Sequence, residues 1–292
     1  MNTIRQPVNQ LSKKQKIKNY LNNPSSLILL LVVMTGALIT FFVLIYLLSY
    51  ITVKGVPYLT PSLFSATYTS ENVSMLPAII NTIIITLVSL GIAAPLGIFT
   101  AIFLVEYTDR KNKFVGFIRL ATETLSGIPS IVYGLFGLLF FVTAMGWGFS
   151  LLAGAFTLGI MILPLVIRTT EEALKSVPDP YREASFGLGA GKLRTVFRIV
   201  LPAAIPGVLA GVILAIGRVI GETAALIYTA GTVAQIPSSL MGSGRTLAIH
   251  MYALSSEGLN TDQAYATAVI LLLLVLTINW FSAFIAKKFT KT

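Results

Sequence analysis

Six long apolar runs constrain this chain more than any other feature of it. A hydrocarbon layer about 30 Å thick is crossed by about 20 mostly apolar helical residues. The stretches Leu27–Tyr50, Ala78–Val105, Ala121–Met145, Leu151–Ile167, Ala203–Gly231 and Ala264–Ala286 meet or approach that length. With 55% of its 292 residues hydrophobic and only 11% charged, the chain has too much apolar surface for a water-facing globule. It reads as an all-α integral membrane protein with six transmembrane helices. The first run is far longer than a signal-peptide core and follows a polar head, so it is expected to stay as an anchor.

The net charge of +10 would suit a nucleic-acid partner, but its distribution points elsewhere. Arg5, Lys13, Lys14, Lys16 and Lys18 precede the first run; Arg110, Lys111, Lys113 and Arg119 join the second to the third. Arg168, Lys175, Arg182, Lys192, Arg194 and Arg198 cluster between the fourth and fifth, and Lys287, Lys288 and Lys291 close the chain. Only Lys54 and Arg245 fall on the other side, and Arg218 lies inside a run. This is positive-inside sorting, which places both termini and the 169–202 loop in the cytoplasm and explains the basic excess without nucleic acid. The absence of cysteine excludes disulfides and thiolate metal sites. No nucleophile–base pair, paired carboxylates or metal-ligand spacing stands out, so neither a catalytic nor a metal site is expected.

Along the chain, residues 1–26 form a polar head and 27–50 a peripheral first helix. Residues 78–286 form the core, and 287–292 a basic tail. Pro95 and Gly97 predict a kink in the second segment. In the third, Ser126, Ser130 and Gly134 recur every four residues, a face suited to close helix contact, and Glu123 falls where a helix N-terminus would favour a carboxylate. Trp147, between Gly146 and Gly148, marks a tight turn at the far interface.

The fifth segment carries two small-residue pairs, Gly207/Gly211 and Gly217/Gly221, and is expected to press closely on its neighbours throughout. Arg218, about 22 Å along it, and Glu222, one turn later, are costly in lipid. Two readings stand: a mutual i,i+4 ion pair that holds helices together, or the charged lining of a solute path, where an Arg fork suits an oxyanion. The far-side stretch Thr246–Leu254 is short enough to lie on the surface or re-enter. Its His250 has no second ligand nearby and reads as structural.

Thr169–Pro202 is the one charged stretch set between apolar runs. FGLGAGKLRT fails the phosphate-loop pattern, with Phe186 where glycine is required and Leu193 where Ser or Thr must follow Lys192. If ATP is used, another chain must bind it, so no cofactor is expected here. Asp179 is placed to cap a helix starting at Pro180; Gly187, Gly189 and Gly191 end it; and Lys192–Val200 begins a second. Two short amphipathic helices around a glycine turn would offer an apolar knob to a soluble partner, against the alternative of a solvated linker.

Glu183-Ala184-Ser185, Gly189, Ile199 and Leu201-Pro202 resemble the EAA loop of ABC importer permeases, departing only by Ser185 for the second alanine. The stretches Glu123–Gly137, Leu163–Ser185 and Ile213–Leu226 are similar to phosphate permeases of the PstA type. The resemblance implies a type I ABC importer permease (MetI-like) fold with a five-helix core beside a peripheral first helix. It implies as partners an ATP-binding subunit dimer, a second homologous permease and an extracytoplasmic phosphate-binding protein, in a bacterial or archaeal plasma membrane. Glu183, Ala184, Gly189, Ile199, Leu201 and Pro202 would dock the ATPase. Arg218, with Glu222 beside it, would line the phosphate path; Arg168 also matches a family arginine, though it falls at the loop-side edge of its segment. The competing readings are a permease for another oxyanion or small solute, and a free-standing channel or secondary carrier, which would not need the docking loop.

Overall fold

The computed structural model describes residues 23–108 and 113–290, with side chains described as far as residue 284. Most of the polar head, Arg110 and Lys111 of the second link, and the side chains of the basic tail lie outside the described residues.

Contacts divide the chain into two units, Met1–Val53 and Lys54–Thr292. Helix α1, Pro24–Gly55, occupies the described part of the first and ends just inside the second. Its apolar side chains, from Ile28 to Val53, are exposed, as a lipid-facing helix requires. Thr40 and Thr52 donate their hydroxyls to the carbonyls of Gly36 and Leu48 (2.9 and 2.7 Å), which satisfies them without water.

In the second unit, α2 (Leu76–Ile102) widens into a π turn at Phe103–Tyr107. Helix α3 (Lys113–Ser126) leads to α4 (Ser130–Gly137), itself extended by a π segment over Leu138–Ala144. After α5 (Leu151–Lys175) come α6 (Asp179–Gly187) and α7 (Lys192–Thr195). Helix α7 passes through a π turn, Val196–Val200, directly into α8 (Leu201–Ile220). The short α9 (Ala224–Ile227), α10 (Leu247–Glu257) and α11 (Thr261–Thr290) complete it. Among the described residues five helices are long and apolar enough to cross a membrane, and the α3–α4 pair makes a sixth if its two halves are one broken span. The expected six segments are therefore all recognisable.

Two of them differ from a straight helix. Ala121–Met145 is bent by 100° between α3 and α4. Pro129 there lacks an N–H and biases Ile128 away from helical geometry, and Gly127 adds no helical preference. Glu123 consequently sits in the last turn of α3 instead of at an N-terminus, and Ser126 lies across the bend from Ser130 and Gly134. The fifth segment stops at Ile220: the Glu222 carboxylate accepts the Ala225 N–H (3.1 Å), a local bond that competes with helix continuation.

Helix α5 is the axis of the unit. Buried residues make up 67% of its most apolar stretch, against 33% for α2 and 11% for α11. With no hydrophobic drive between helices in lipid, close approach depends on small residues. A Cβ on Gly97 would strike Val166; on Gly207, Ala173; on Gly211, Thr169. The second small pair behaves otherwise, because a Cβ on Gly217 would meet nothing within 4 Å and one on Gly221 only the Gly217 carbonyl at 3.7 Å.

At the end away from α6, the Gly146-Trp147-Gly148 turn uses left-handed φ at both glycines (68° and 64°). Trp147 stacks on Phe141, with centroids 5.2 Å apart. The 231–246 segment folds inward there. Leu151 and Leu152 donate their N–H groups to Gly242 and Leu240, and the Asn81 amide donates to Gln235 and Arg245 carbonyls at 3.0 and 3.2 Å. Of the two readings of Thr246–Leu254, lying on the surface or re-entering, burial of Leu247–His250 favours re-entry, with the Leu247 N–H taken by the Thr82 hydroxyl at 2.8 Å. His250 is fully buried edge-on to Tyr68, over whose ring the Arg245 guanidinium also lies at 4.6 Å. Burial, reinforced by Arg245, pushes the imidazole pKa down to about 3, and the ring is neutral.

Candidate functional site

Helices α5 and α8 run antiparallel, since Gly207 faces Ala173 and Gly211 faces Thr169. Continuing that register, Arg218 comes level with Ile162, about 9 Å farther from the loop end than Arg168. Two long guanidinium side chains can therefore share one space. Arg168 and Arg218 line a single cavity of about 300 Å³ with Ser126, Pro164, Leu165, Thr169 and Glu172. Arg168 thus lines the same cavity as Arg218, although sequence position put it at the segment edge.

The two arginines are held differently. Arg168 Nε donates to Glu172 Oε1 one turn on (3.2 Å), in a pair exposed by more than half on both sides. Arg218 makes no ion pair among the described residues. Glu222, the partner in the ion-pair reading, lies beyond the end of α8 and takes a backbone N–H instead. Arg218 lies in the last turn of α8, where the partial negative charge of a helix C-terminus favours a cation.

A second cavity, of about 220 Å³, adjoins on the loop side and shares Arg168 and Glu172. It adds Arg119, Glu123, Glu171 and Lys175. Glu171 is nearly buried and bridged by Arg119 Nε at 2.7 Å and Lys175 Nζ at 2.6 Å. A third, of about 290 Å³, shares Lys175 and reaches Glu106, Asp179 and Arg182. A series of polar spaces thus leads from Arg218 to the loop. The pairs Arg168/Glu172 and Glu171/Lys175 were visible as i,i+4 spacings; Arg119 with Glu171 and Glu106 with Arg182 were not.

The loop itself is ordered. Helix α6 starts one residue earlier than expected, so Asp179 lies in its first turn, with Pro178 before it, and meets Arg182 at 3.3 Å instead of capping. Gly189 closes the turn with φ 80°, in the left-handed region that glycine enters without a steric penalty. Ser185, the departure from the resembled motif, shares a 2.8 Å hydrogen bond with the Thr195 hydroxyl and so ties α6 to α7. The apolar residues form a groove more than a knob. Its volume is about 860 Å³, and Tyr181, Ala184, Leu188, Ile199, Arg194 and Arg198 are among its walls. Leu188 is 89% exposed, and Glu183, also exposed, pairs with no cation among the described residues. Leu201 and the exposed Pro202 open α8.

Among the described residues, an all-helical bundle with five or six membrane-length helices, a series of cavities lined by charged side chains and an ordered loop defines a multi-pass membrane permease. The chain belongs to the family described as binding-protein-dependent transport system inner membrane components, whose model matches residues 93–291, and it is a permease subunit of an ABC importer. It is 36% identical over 271 residues to a probable ABC transporter permease protein, YqgI, of Bacillus subtilis, covering 85% of this chain and 92% of that one. It is 38% identical over 211 residues to phosphate transport system permease protein PstA 1 of Mycobacterium tuberculosis, covering 68% and 67%. Among solved structures, a bacterial alginate ABC transporter bound to its pentasaccharide-loaded periplasmic protein matches with TM-score 0.67 and 16% identity over 90% of this chain and 96% of that one. The MetNI methionine transporter, in an inward-facing form, matches at 0.57 and 20%, covering 74% and 94%. At such identities these structures speak for the MetI-like fold alone.

Proposed function

We propose that this permease carries inorganic phosphate into the cell by alternating access. The observation that carries the reading is the cavity that Arg168 and Arg218 both line, with Arg218 in no ion pair among the described residues, because a guanidinium fork without a protein carboxylate is suited to an oxyanion. The Glu172 carboxylate in the same wall keeps the site from holding an anion too firmly. The name of the Mycobacterium tuberculosis relative supports phosphate as the solute. A second reading, another tetrahedral oxyanion, has the same chemistry in its favour, and the name of the Bacillus subtilis relative specifies no solute.

In this proposal the chain works with a second homologous permease, an ATP-binding subunit dimer and an extracytoplasmic phosphate-binding protein. ATP is bound by the partner dimer, which seats against Glu183, Ala184, Gly189, Ile199, Leu201 and Pro202. In this reading the protein spans a plasma membrane with both termini and this loop on the cytoplasmic side, which the basic sorting supports. In proteoliposomes, labelled phosphate uptake should require ATP, the ATPase, the second permease and the binding protein. Excess unlabelled sulfate should leave uptake unchanged. Uptake by this chain alone would overturn the importer reading, and suppression by sulfate would favour the broader oxyanion reading.

A further inference from the structure

An ATP-driven importer must pass motion from its docking loop to the helices around the solute, and here polar contacts tie both loop helices to the π turn that ends α2. Arg182, on α6, donates Nη2 and Nε to Glu106 Oε1 at 2.7 and 3.2 Å. Its Nη1 and Nη2 also donate to the carbonyls of Val177 and Leu174, at 2.8 and 2.9 Å. The two side chains are only 14% and 8% exposed, so solvent screens them little. Glu106 lies in the π turn that ends α2, and the next residue, Tyr107, receives the Lys192 ammonium over its ring at 5.2 Å. Both helices of the loop therefore grip the same five residues.

We infer that the Arg182–Glu106 pair is the joint that couples movement of α6 to α2, and through the Gly97–Val166 contact to α5, which carries Arg168. The inference rests on the importer reading above. The buried, doubly bonded ion pair adds short directional bonds to the apolar packing between the loop and α2, so α2 follows α6 in both directions. Arg182 is a positioning residue, since it touches neither solute nor ATP. Lysine is a poor replacement because it lacks the planar fork that reaches Glu106 and two carbonyls together.

The test uses the assembled complex. Arg182→Gln and Glu106→Gln should lower phosphate transported per ATP hydrolysed at least tenfold, while the ATPase still co-purifies and hydrolyses ATP. Arg182→Lys should fall between these and the unaltered complex. Glu183→Lys should behave differently, losing the ATPase. The absence of cysteine allows a second readout with spin labels at Leu96→Cys on α2 and Gly187→Cys on α6. Their separation should stay constant on ATP binding with Arg182 present, and should shift or broaden by several ångströms with Arg182→Gln. Coincident distance distributions, an unchanged transport ratio, or loss of the ATPase from Arg182→Gln would each overturn the inference. The label distances do not depend on the solute, so failure of the phosphate reading would appear separately, as an unaltered complex that moves no phosphate.

Discussion

The loop end and the middle of the bundle handle charge in opposite ways. At the loop end the nearly buried carboxylates are bridged: Glu106 by Arg182, Glu171 by both Arg119 and Lys175. In the middle, Arg218 pairs with nothing among the described residues, and Glu222, one turn away in sequence, turns to the backbone. The far end offers a third solution, with Arg245 buried over the Tyr68 ring. Breaking a buried pair strands a charge, so a paired residue serves the structure first. An unpaired guanidinium beside a cavity remains available to a visiting anion.

The sharpest way to break this contrast is Arg218→Gln. Losing a charge-assisted bond worth about 1.5–3 kcal/mol should reduce uptake roughly tenfold to a hundredfold, with co-purification of the partners unchanged. Loss of assembly would mean that Arg218 is structural after all. A second comparison sets the two small-residue pairs against each other. Gly211→Val, forced against Thr169, should destabilise the detergent-solubilised protein by about 1–3 kcal/mol, whereas Gly217→Ala, with open space around it, should be neutral or stabilising by up to about 1 kcal/mol in thermal unfolding. Equal effects would contradict the different packing of the two halves of the fifth segment.

The smallest effect concerns His250. Its folded pKa, about 3, lies below the ordinary 6.5, so between those values the unfolded chain binds a proton that the folded chain does not. Stability should therefore fall as pH drops below about 6.5 and be insensitive to this group above it. His250→Phe should flatten that slope in melting curves taken between pH 7 and pH 5, and an unchanged slope would argue against a buried neutral ring.

Much of this was legible in the residues. Apolar run length marked the spans, and the spacing from Glu183 to Pro202 marked a built loop, whose glycine turn the φ of Gly189 bears out. Gly207 and Gly211 were correctly read as contact points, but Gly217 and Gly221 have the same spacing and pack against no other helix. Spacing says that two glycines share a face; it does not say whether another helix lies opposite. Likewise, Pro129 was visible, yet its 100° bend emerged only in three dimensions, because proline inside an apolar run is compatible with a kink or a complete break. The Glu106–Arg182 pair joins residues 76 apart, and no local pattern selects it.

The sequence by itself determined that the chain crosses a membrane several times and carries one ordered, charged loop between its spans. Those properties follow from length, periodicity and residue type within a single segment. Only the tertiary structure decided which charges are engaged and which are left open. That outcome depends on where α5 and α8 cross, and on whether Glu222 finds a guanidinium or an amide first, and both are settled by packing between distant segments.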